Sequence, residues 1–352
     1  MSIIEAKNAL DSIITKARVH LYKPIQIAEV LYRDRVHKDI DIKNLETYRS
    51  KSKKWRDIVS SNLVGNASSS SSKFQDDLFN KEAMPVNLLV ELSIYNKKNK
   101  GIVEAYIYRH LEKRHIQMAN TLDYCFKSSP DTFQLPVLLD MFWKESGLKR
   151  SLDKIYEIIV YSLFDLLVCE MNVQIEVSFD ESKYDILNEF SVFAKKVIGI
   201  DSSVAKLKTL AKINRAGVAN AADRGLDMWA NFGPAIQVKH LTLKEELAEG
   251  IVTSLSADRI VIVCKDAEEK VIVSLLNQIG WKAKIQSIVL ESELVAWYEE
   301  ALRGKFSHIL GQKLLDSIKY EIEIEFPSVI SMAPFMKSRK YVGLVDSKFN
   351  LN

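Results

Sequence analysis

The chain has 352 residues, 47% of them hydrophobic and 27% charged, with a formal net charge of +3. That apolar content is ample for one large core or two, whereas so weak a net charge cannot by itself point to a nucleic-acid partner, which must be announced by local clustering. The three cysteines, Cys125, Cys169 and Cys264, stand far apart without a Cys-x-x-Cys pair, which argues against a disulfide framework or a structural zinc site and for a reducing cytoplasm.

In chain order, no basic-then-apolar leader opens the sequence, and helices are expected over 3–16 and from Pro24, whose ring suits a first helical position. The stretch "NLETYRSKSKKWRDIVSSNLV" reads as two short helices, and the five serines from Ser68 to Ser72 read as a flexible loop. From Gly101 the apolar spacing predicts one long amphipathic helix. Residues 1–150 therefore form a mainly helical domain, and 151–352 a second domain of different pattern. The second domain opens on an apolar helix from Ile155, which Glu157 and Asp165 interrupt before it reaches membrane-spanning length. Then come an alternating strand over 173–179, helices near 181–198 and 202–212, and a hairpin over 223–240. Helices from Leu243, Glu268 and Leu294 alternate with strands 259–264 and 284–290, and "YEIEIEF" (320–326) reads as an edge strand with outward glutamates. The fold class is α/β (α+β): a mixed sheet flanked by helices, with a mainly helical N-terminal region. With only 12 glycines, and neither a Gly-x-x-x-x-Gly-Lys loop nor a Gly-x-Gly-x-x-Gly turn, nucleotide hydrolysis and hydride transfer are both disfavoured.

The hairpin "DRGLDMWANFGPAIQVKH" places Asp227, Gln237 and Lys239 among apolar residues. Side chains two apart on a strand share a face, so Gln237 and Lys239 point together, and the turn Asn231-Phe232-Gly233-Pro234 folds Asp227 back beside them. Such a group suits a hard divalent cation, with Asp227 supplying the charged oxygen and the Val238 carbonyl and Gln237 side chain neutral ones. Lys239 could then hold the attacking water and offset charge on a phosphate. The bland alternative is a solvated hairpin face with Asp227 paired to Arg224. His240 points away from Lys239, and His110 and His115, five apart, are poorly spaced for a zinc pair.

Asp followed after a turn by (Asp/Glu/Gln)-x-Lys, between helices in α-β-β-α-β order, resembles the PD-(D/E)XK nuclease superfamily over roughly 181–290. A closer resemblance, carried by "ARVHLYKPIQIAEVLYRDR" (17–35) and "NAADRGLDMWANFGPAIQVKHL" (220–241), is to the HaeII-like type II restriction endonucleases. The resemblance implies a bacterial cytoplasmic enzyme that hydrolyses double-stranded DNA at a GC-rich palindrome, purine-GCGC-pyrimidine, using Mg²⁺. It also implies metal ligation by Asp227, Gln237 and the Val238 carbonyl, with Lys239 at the water. Gln237 replaces the usual acid, so a second carboxylate must come from elsewhere; Glu189 is the candidate, with Asp223 and Glu246 as rivals.

Lys43, Arg49, Lys51, Lys53, Lys54 and Arg56 face one acid, Glu46, with Tyr48 and Trp55 interleaved, a composition suited to phosphate contacts, or else to a solvated helix face. A second cluster, from Lys97 to Arg114, is expected on the exposed side of the long helix, and Arg49, Arg56 and Arg114 are eligible readers of guanine. A palindromic target demands two readers about a twofold axis, hence a homodimer. Two other readings stay open: a non-catalytic DNA-binding protein with a degenerate nuclease fold, and a repair nuclease without sequence-dependent fragments.

Overall fold

A computed structural model describes residues 2–65, 76–79, 83–145, 147–201, 203–216, 226–239, 257–265, 270, 285–326, 331–344 and 349. The serine run and the expected helices after Leu243 and Glu268 lie outside these residues. Two compact units emerge: the first comprises 1–158, 217–222 and 315–352, the second 159–216 and 223–314.

The first unit is helical: α1 (Ile3–Lys16), α2 (Tyr22–Tyr32), α3 (Lys51–Val64), α4 (Val86–Lys98), α5 (Ile102–Lys127) and α6 (Leu135–Lys144), followed by the start of α7 (Leu152–Glu170). Helix α1 begins at a capping box in which Ser2 Oγ accepts the Glu5 amide and the Ser2 amide donates to Glu5 Oε2. Its buried Ala6, Leu10, Ile13 and Ile14 recur at helical spacing, and their stripe joins a core with Ile25, Leu89 and Ile107. Helix α2 starts at Tyr22, so Pro24 is its third residue rather than its first. The predicted long helix is α5, and its Arg114 closes α1: the guanidinium donates to the carbonyls of Ile14, Ala17 and Arg18 at 2.5, 2.7 and 3.0 Å. Two buried carboxylates knit the unit together. Glu104 accepts from Arg35 through both oxygens, from Asn96 and from the Tyr341 hydroxyl, while Glu29 accepts from Tyr108 and Arg339.

The second unit carries every described strand. Strand β1 (Gln174–Ser178) pairs antiparallel with β2 (Lys206–Leu210) as a separate two-stranded sheet. Between them run a 3₁₀ turn, α8 (Tyr184–Glu189) and a further helical run to Ile198, closed by Gly199 at φ 87°. The helix expected near 202–212 is thus a strand: Lys206 and Lys208 flank Glu176 at 3.2 and 3.4 Å, and Leu207 lies opposite Val177. The main sheet orders β3 (Ile213–Arg215), β4 (Met228–Ala230), β5 (Ala235–Lys239), β6 (Ile260–Cys264) and β7 (Ile285–Leu290) side by side. Antiparallel pairing joins β3 to β4 and β4 to β5, and parallel pairing joins β5, β6 and β7, so the sheet is mixed. Helix α9 (Glu291–Arg303) follows β7, and its Tyr298 hydroxyl donates to the Ile159 carbonyl.

Residues 320–325 of the expected edge strand instead form the end of α10 (Ser307–Glu325), and α11 (Ala333–Ser338) follows it. Leu314, Leu315, Ile318 and Ile322 are buried at helical spacing while Tyr320 and Ile324 are exposed, so the 3.6-residue period of the longer segment overrides the local alternation. No helix among the described residues is long and apolar enough to cross a membrane.

Candidate active site

The hairpin forms as its sequence dictates. Asn231 and Phe232 occupy the turn, and Gly233, at φ 121°, adopts a conformation that side-chain-bearing residues rarely tolerate. The Arg259 guanidinium lies where a Gly233 Cβ would project and donates to the Phe232 carbonyl. Asn231 anchors the other side: its Oδ1 accepts the Lys212 amide and its Nδ2 donates to the Leu210 carbonyl. Neither clamp is legible in the sequence. Each joins the turn to a residue about twenty or more positions away, which local patterning does not encode.

Met228 lies opposite Ile236 and Trp229 opposite Ala235, so continuing the register sets Asp227 across from Gln237. Asp227 Oδ2 accepts the Val238 amide at 2.8 Å, taking the place of a ladder carbonyl at the end of β4. In an extended strand the N–H and C=O of one residue project to the same side, so the Val238 carbonyl faces the edge on which the Asp227 carboxylate sits. Gln237 is fully buried, a costly position for an amide unless it serves structure or chemistry. Lys239 shares the Gln237 face, lies opposite Cys264 of β6 and is half-buried, and its side chain forms no hydrogen bond or ion pair with another described residue. Asp227, Gln237, Val238 and Lys239 are therefore brought together at the end of one hairpin.

Glu189 is exposed at the end of α8, on the segment between β1 and β2 and not on the hairpin itself. Asp223, Arg224, His240 and Glu246 fall outside the described residues. Among the described residues no group of three His, Cys, Asp or Glu side chains could hold a metal. Among the described residues the donor set is thus one carboxylate with neutral oxygens beside it. That suits a hard cation that keeps water and phosphate in its coordination sphere better than it suits zinc or a caged ion.

The basic segment divides. Lys43, Arg49, Lys51 and Lys54 are exposed, and Lys53 is partly so. Lys53 and Lys54 line a shallow depression along α3 with Ser50, Asp57, Ile58 and Ser61. The stretch before α3 is a 3₁₀ turn, Leu45–Thr47, and not a first short α-helix. Arg56 departs from the expectation of a DNA contact. It is 2% exposed, its guanidinium held by Asp57 at 2.6 and 2.8 Å and near Gln26, so it ties α3 to α2. Arg114, eligible as a base reader by sequence, is likewise buried as the cap of α1, where burial pulls its pKa down to about 10. In the second basic cluster Lys97 is held by Asp34 and Arg109 donates to the Tyr341 carbonyl.

Comparison with known proteins supplies the family. The family model described as HaeII restriction endonuclease matches residues 6–341. The type II restriction enzyme HaeII of Haemophilus aegyptius is 54% identical over 343 residues, covering 97% of each chain. The type II restriction enzyme NgoBI of Neisseria gonorrhoeae is 54% identical over 332 residues, 94% of each chain. No solved structure matches. Identity at that level over nearly the whole length leaves one assignment: the chain belongs to the HaeII restriction endonuclease family, whose curated relatives are type II restriction enzymes.

Proposed function

We propose that this type II restriction endonuclease cuts double-stranded DNA in the bacterial cytoplasm, as a homodimer, at purine-GCGC-pyrimidine, with Mg²⁺ as its cofactor and the β4–β5 hairpin as its catalytic centre. The observation that carries the site is the convergence at one hairpin end of the Asp227 carboxylate, fixed by the Val238 amide, with buried Gln237 and an ammonium at Lys239 not consumed by an ion pair among the described residues. Asp227, the Val238 carbonyl and Gln237 would hold the cation, which when bound would polarise a water and the scissile phosphate.

The remaining work falls to the chain. The Val238 amide fixes the Asp227 carboxylate in one orientation, so little reorganisation is needed as DNA arrives. Lys239 sets a positive charge on the Gln237 face, where it orients the attacking water and offsets the charge growing on the phosphoryl oxygens. In-line attack on phosphorus then expels the 3′ oxygen and leaves a 5′ phosphate, without a covalent enzyme intermediate. Lys43, Arg49, Lys51, Lys53 and Lys54 would grip backbone phosphates; Arg56, buried and paired, is not carried into this reading.

Digestion of DNA of known sequence with purified protein and Mg²⁺, mapped to fragment ends, tests the proposal. Discrete ends within purine-GCGC-pyrimidine are expected. Ends at another sequence would overturn the specificity. Smearing would favour a structure-selective nuclease, and gel retardation without cutting a degenerate binding protein.

A further inference from the structure

We propose that the outer edge of the catalytic sheet face, formed by Lys212, Asn214 and Trp229, is a sequence-independent DNA contact that holds the backbone of the cleaved strand beside the scissile phosphate. The proposal rests on the reading above that Asp227 and Lys239 meet that phosphate.

Register fixes which side chains share the face. Trp229 pairs with Ala235 on β5 and with Asn214 on β3, and residues directly opposite one another project to the same side of a sheet. Alternation from Ala235 carries that side to Gln237 and Lys239. The ladder also runs one step before β3. The Asn231 amide donates to the Lys212 carbonyl at 3.1 Å and Asn231 Oδ1 accepts the Lys212 amide at 2.8 Å, which sets Lys212 two residues from Asn214 on the same face. An ammonium, an amide and an indole thus line up with the Asp227 carboxylate. The centre of the face is closed, with Ala235, Gln237 and Ile262 buried, while its rim is open: Lys212 is exposed, Trp229 is 45% exposed, and Asn214, Asp227 and Lys239 are partly exposed.

The chemistry of this rim selects its occupant. Among the described residues nothing accepts a hydrogen bond from the Trp229 indole or the Asn214 amide, no ring or cation packs on the indole, and Lys212 has no salt bridge. A single exposed apolar side chain is ordinary on a protein surface. Trp229 differs in its neighbour: it stands about 6.7 Å along the strand from Asp227. A duplex rises about 3.4 Å per nucleotide of each strand, so a phosphate held at Asp227 brings the adjoining nucleotides within reach of the indole. An apolar ring with one N–H donor matches a deoxyribose and the phosphate oxygen beside it. Asn214, directly across, adds a neutral donor, and Lys212, two residues further from Asp227, adds a cation for a further phosphate. Contacts of this kind set where the backbone lies and read no base.

Duplex binding by the full chain in Ca²⁺, with single-turnover cleavage in Mg²⁺, tests this. Trp229→Ala is expected to weaken binding of target and unrelated duplexes alike by about tenfold, and to slow cleavage at saturating protein because the scissile phosphate loses a positioning contact. Lys212→Ala should lower the slope of log affinity against log salt by about 0.9. A duplex carrying one uncharged methylphosphonate, moved phosphate by phosphate along the cleaved strand, locates the contact. At one position within about four nucleotides of the scissile phosphate, wild-type binding should fall while that of Lys212→Ala falls no further, a coupling that a merely structural role would not produce. Should Trp229→Ala fail to fold, Trp229→Phe and the exposed Lys212 decide the matter. Wild-type affinity in Trp229→Phe and Lys212→Ala, a loss confined to the target sequence, or no phosphate to which Lys212→Ala is insensitive would each overturn the proposal. Asp227→Asn separates this inference from the catalytic one. If the edge variants bind and cut as the wild type does while Asp227→Asn cannot cut, only the edge contact is wrong; if they lose affinity for every duplex while Asp227→Asn cuts normally, only the hairpin reading is wrong.

Discussion

Replacing Asp227 by Asn removes the carboxylate charge while keeping an oxygen where Oδ2 accepts the Val238 amide at 2.8 Å. An amide oxygen can preserve that bond as a neutral one, so the stability lost is the difference between a charge-assisted and an ordinary hydrogen bond, about 1 kcal/mol. The thermal midpoint of a chain this long should fall by only a few degrees. Alanine would instead leave the Val238 amide without its acceptor, at about 1–3 kcal/mol. Catalysis should respond on a different scale. The site has one described carboxylate, so losing its charge removes the main attraction for a cation, and cleavage should fall by about 10³-fold or more, comparable to deleting a principal transition-state contact. Plasmid cleavage and thermal denaturation on the same preparations separate the two effects. The Asp227→Asn protein should be inactive and nearly as stable as the wild type, with duplex binding in Ca²⁺ retained. Cleavage by that variant within tenfold of the wild type would refute the reasoning. Its unfolding would show that Asp227 serves the fold and not the chemistry.

Three other outcomes follow from the same structure. Changing Lys51, Lys53 and Lys54 to Ala should weaken duplex binding across all sequences and flatten the plot of log affinity against log salt by about 2.7, or about 0.9 per lost phosphate contact; an unchanged slope would remove α3 from the interface. Burial pulls His20 down to about 4, with nearby Arg18 also lowering it. Burial, His20 and Arg114 bring His115 to about 3. Because both pKa values are depressed, the unfolded chain binds more protons below about pH 6.5. Stability from the neutral pair is therefore present above that pH and lost as pH falls towards 4, by at most about 1.4 kcal/mol per pH unit for each histidine. Urea denaturation between pH 7.5 and 5 should show this loss, and His20→Phe/His115→Leu should flatten it; an unaltered profile would exclude the pair. Finally, Arg35→Met strands the fully buried Glu104 without its bidentate partner and should cost about 3–5 kcal/mol in chemical denaturation, a loss under about 1 kcal/mol showing that Asn96 and Tyr341 suffice.

Where sequence patterning was local it led directly to structure. The alternation around Asn231-Phe232-Gly233-Pro234 gave the hairpin and its register, and hence the meeting of Asp227 with Gln237, while the apolar period from Gly101 gave α5. Failures came where two periods competed or where a charge had a hidden destination. In "YEIEIEF" the glutamates alternate with apolar residues, but burial of Ile318 and Ile322 four apart decides for helix. In 202–212 the lysines looked helical until Glu176 on the neighbouring strand paired with two of them. Arg56 and Arg114 count as basic residues in any composition, yet each guanidinium is spent inside the protein on groups that linear spacing does not reveal. The clamps from Asn231 and Arg259 are long-range for the same reason.

The most direct test of the catalytic hairpin is anomalous diffraction from crystals of the protein with uncut duplex and Mn²⁺ in place of Mg²⁺. The account predicts a metal peak at about 2.0–2.2 Å from an Asp227 oxygen, with the Val238 carbonyl and a phosphate oxygen in the same coordination sphere. A metal bound to the scissile phosphate by other residues, with no Asp227 oxygen in its coordination sphere, would contradict it.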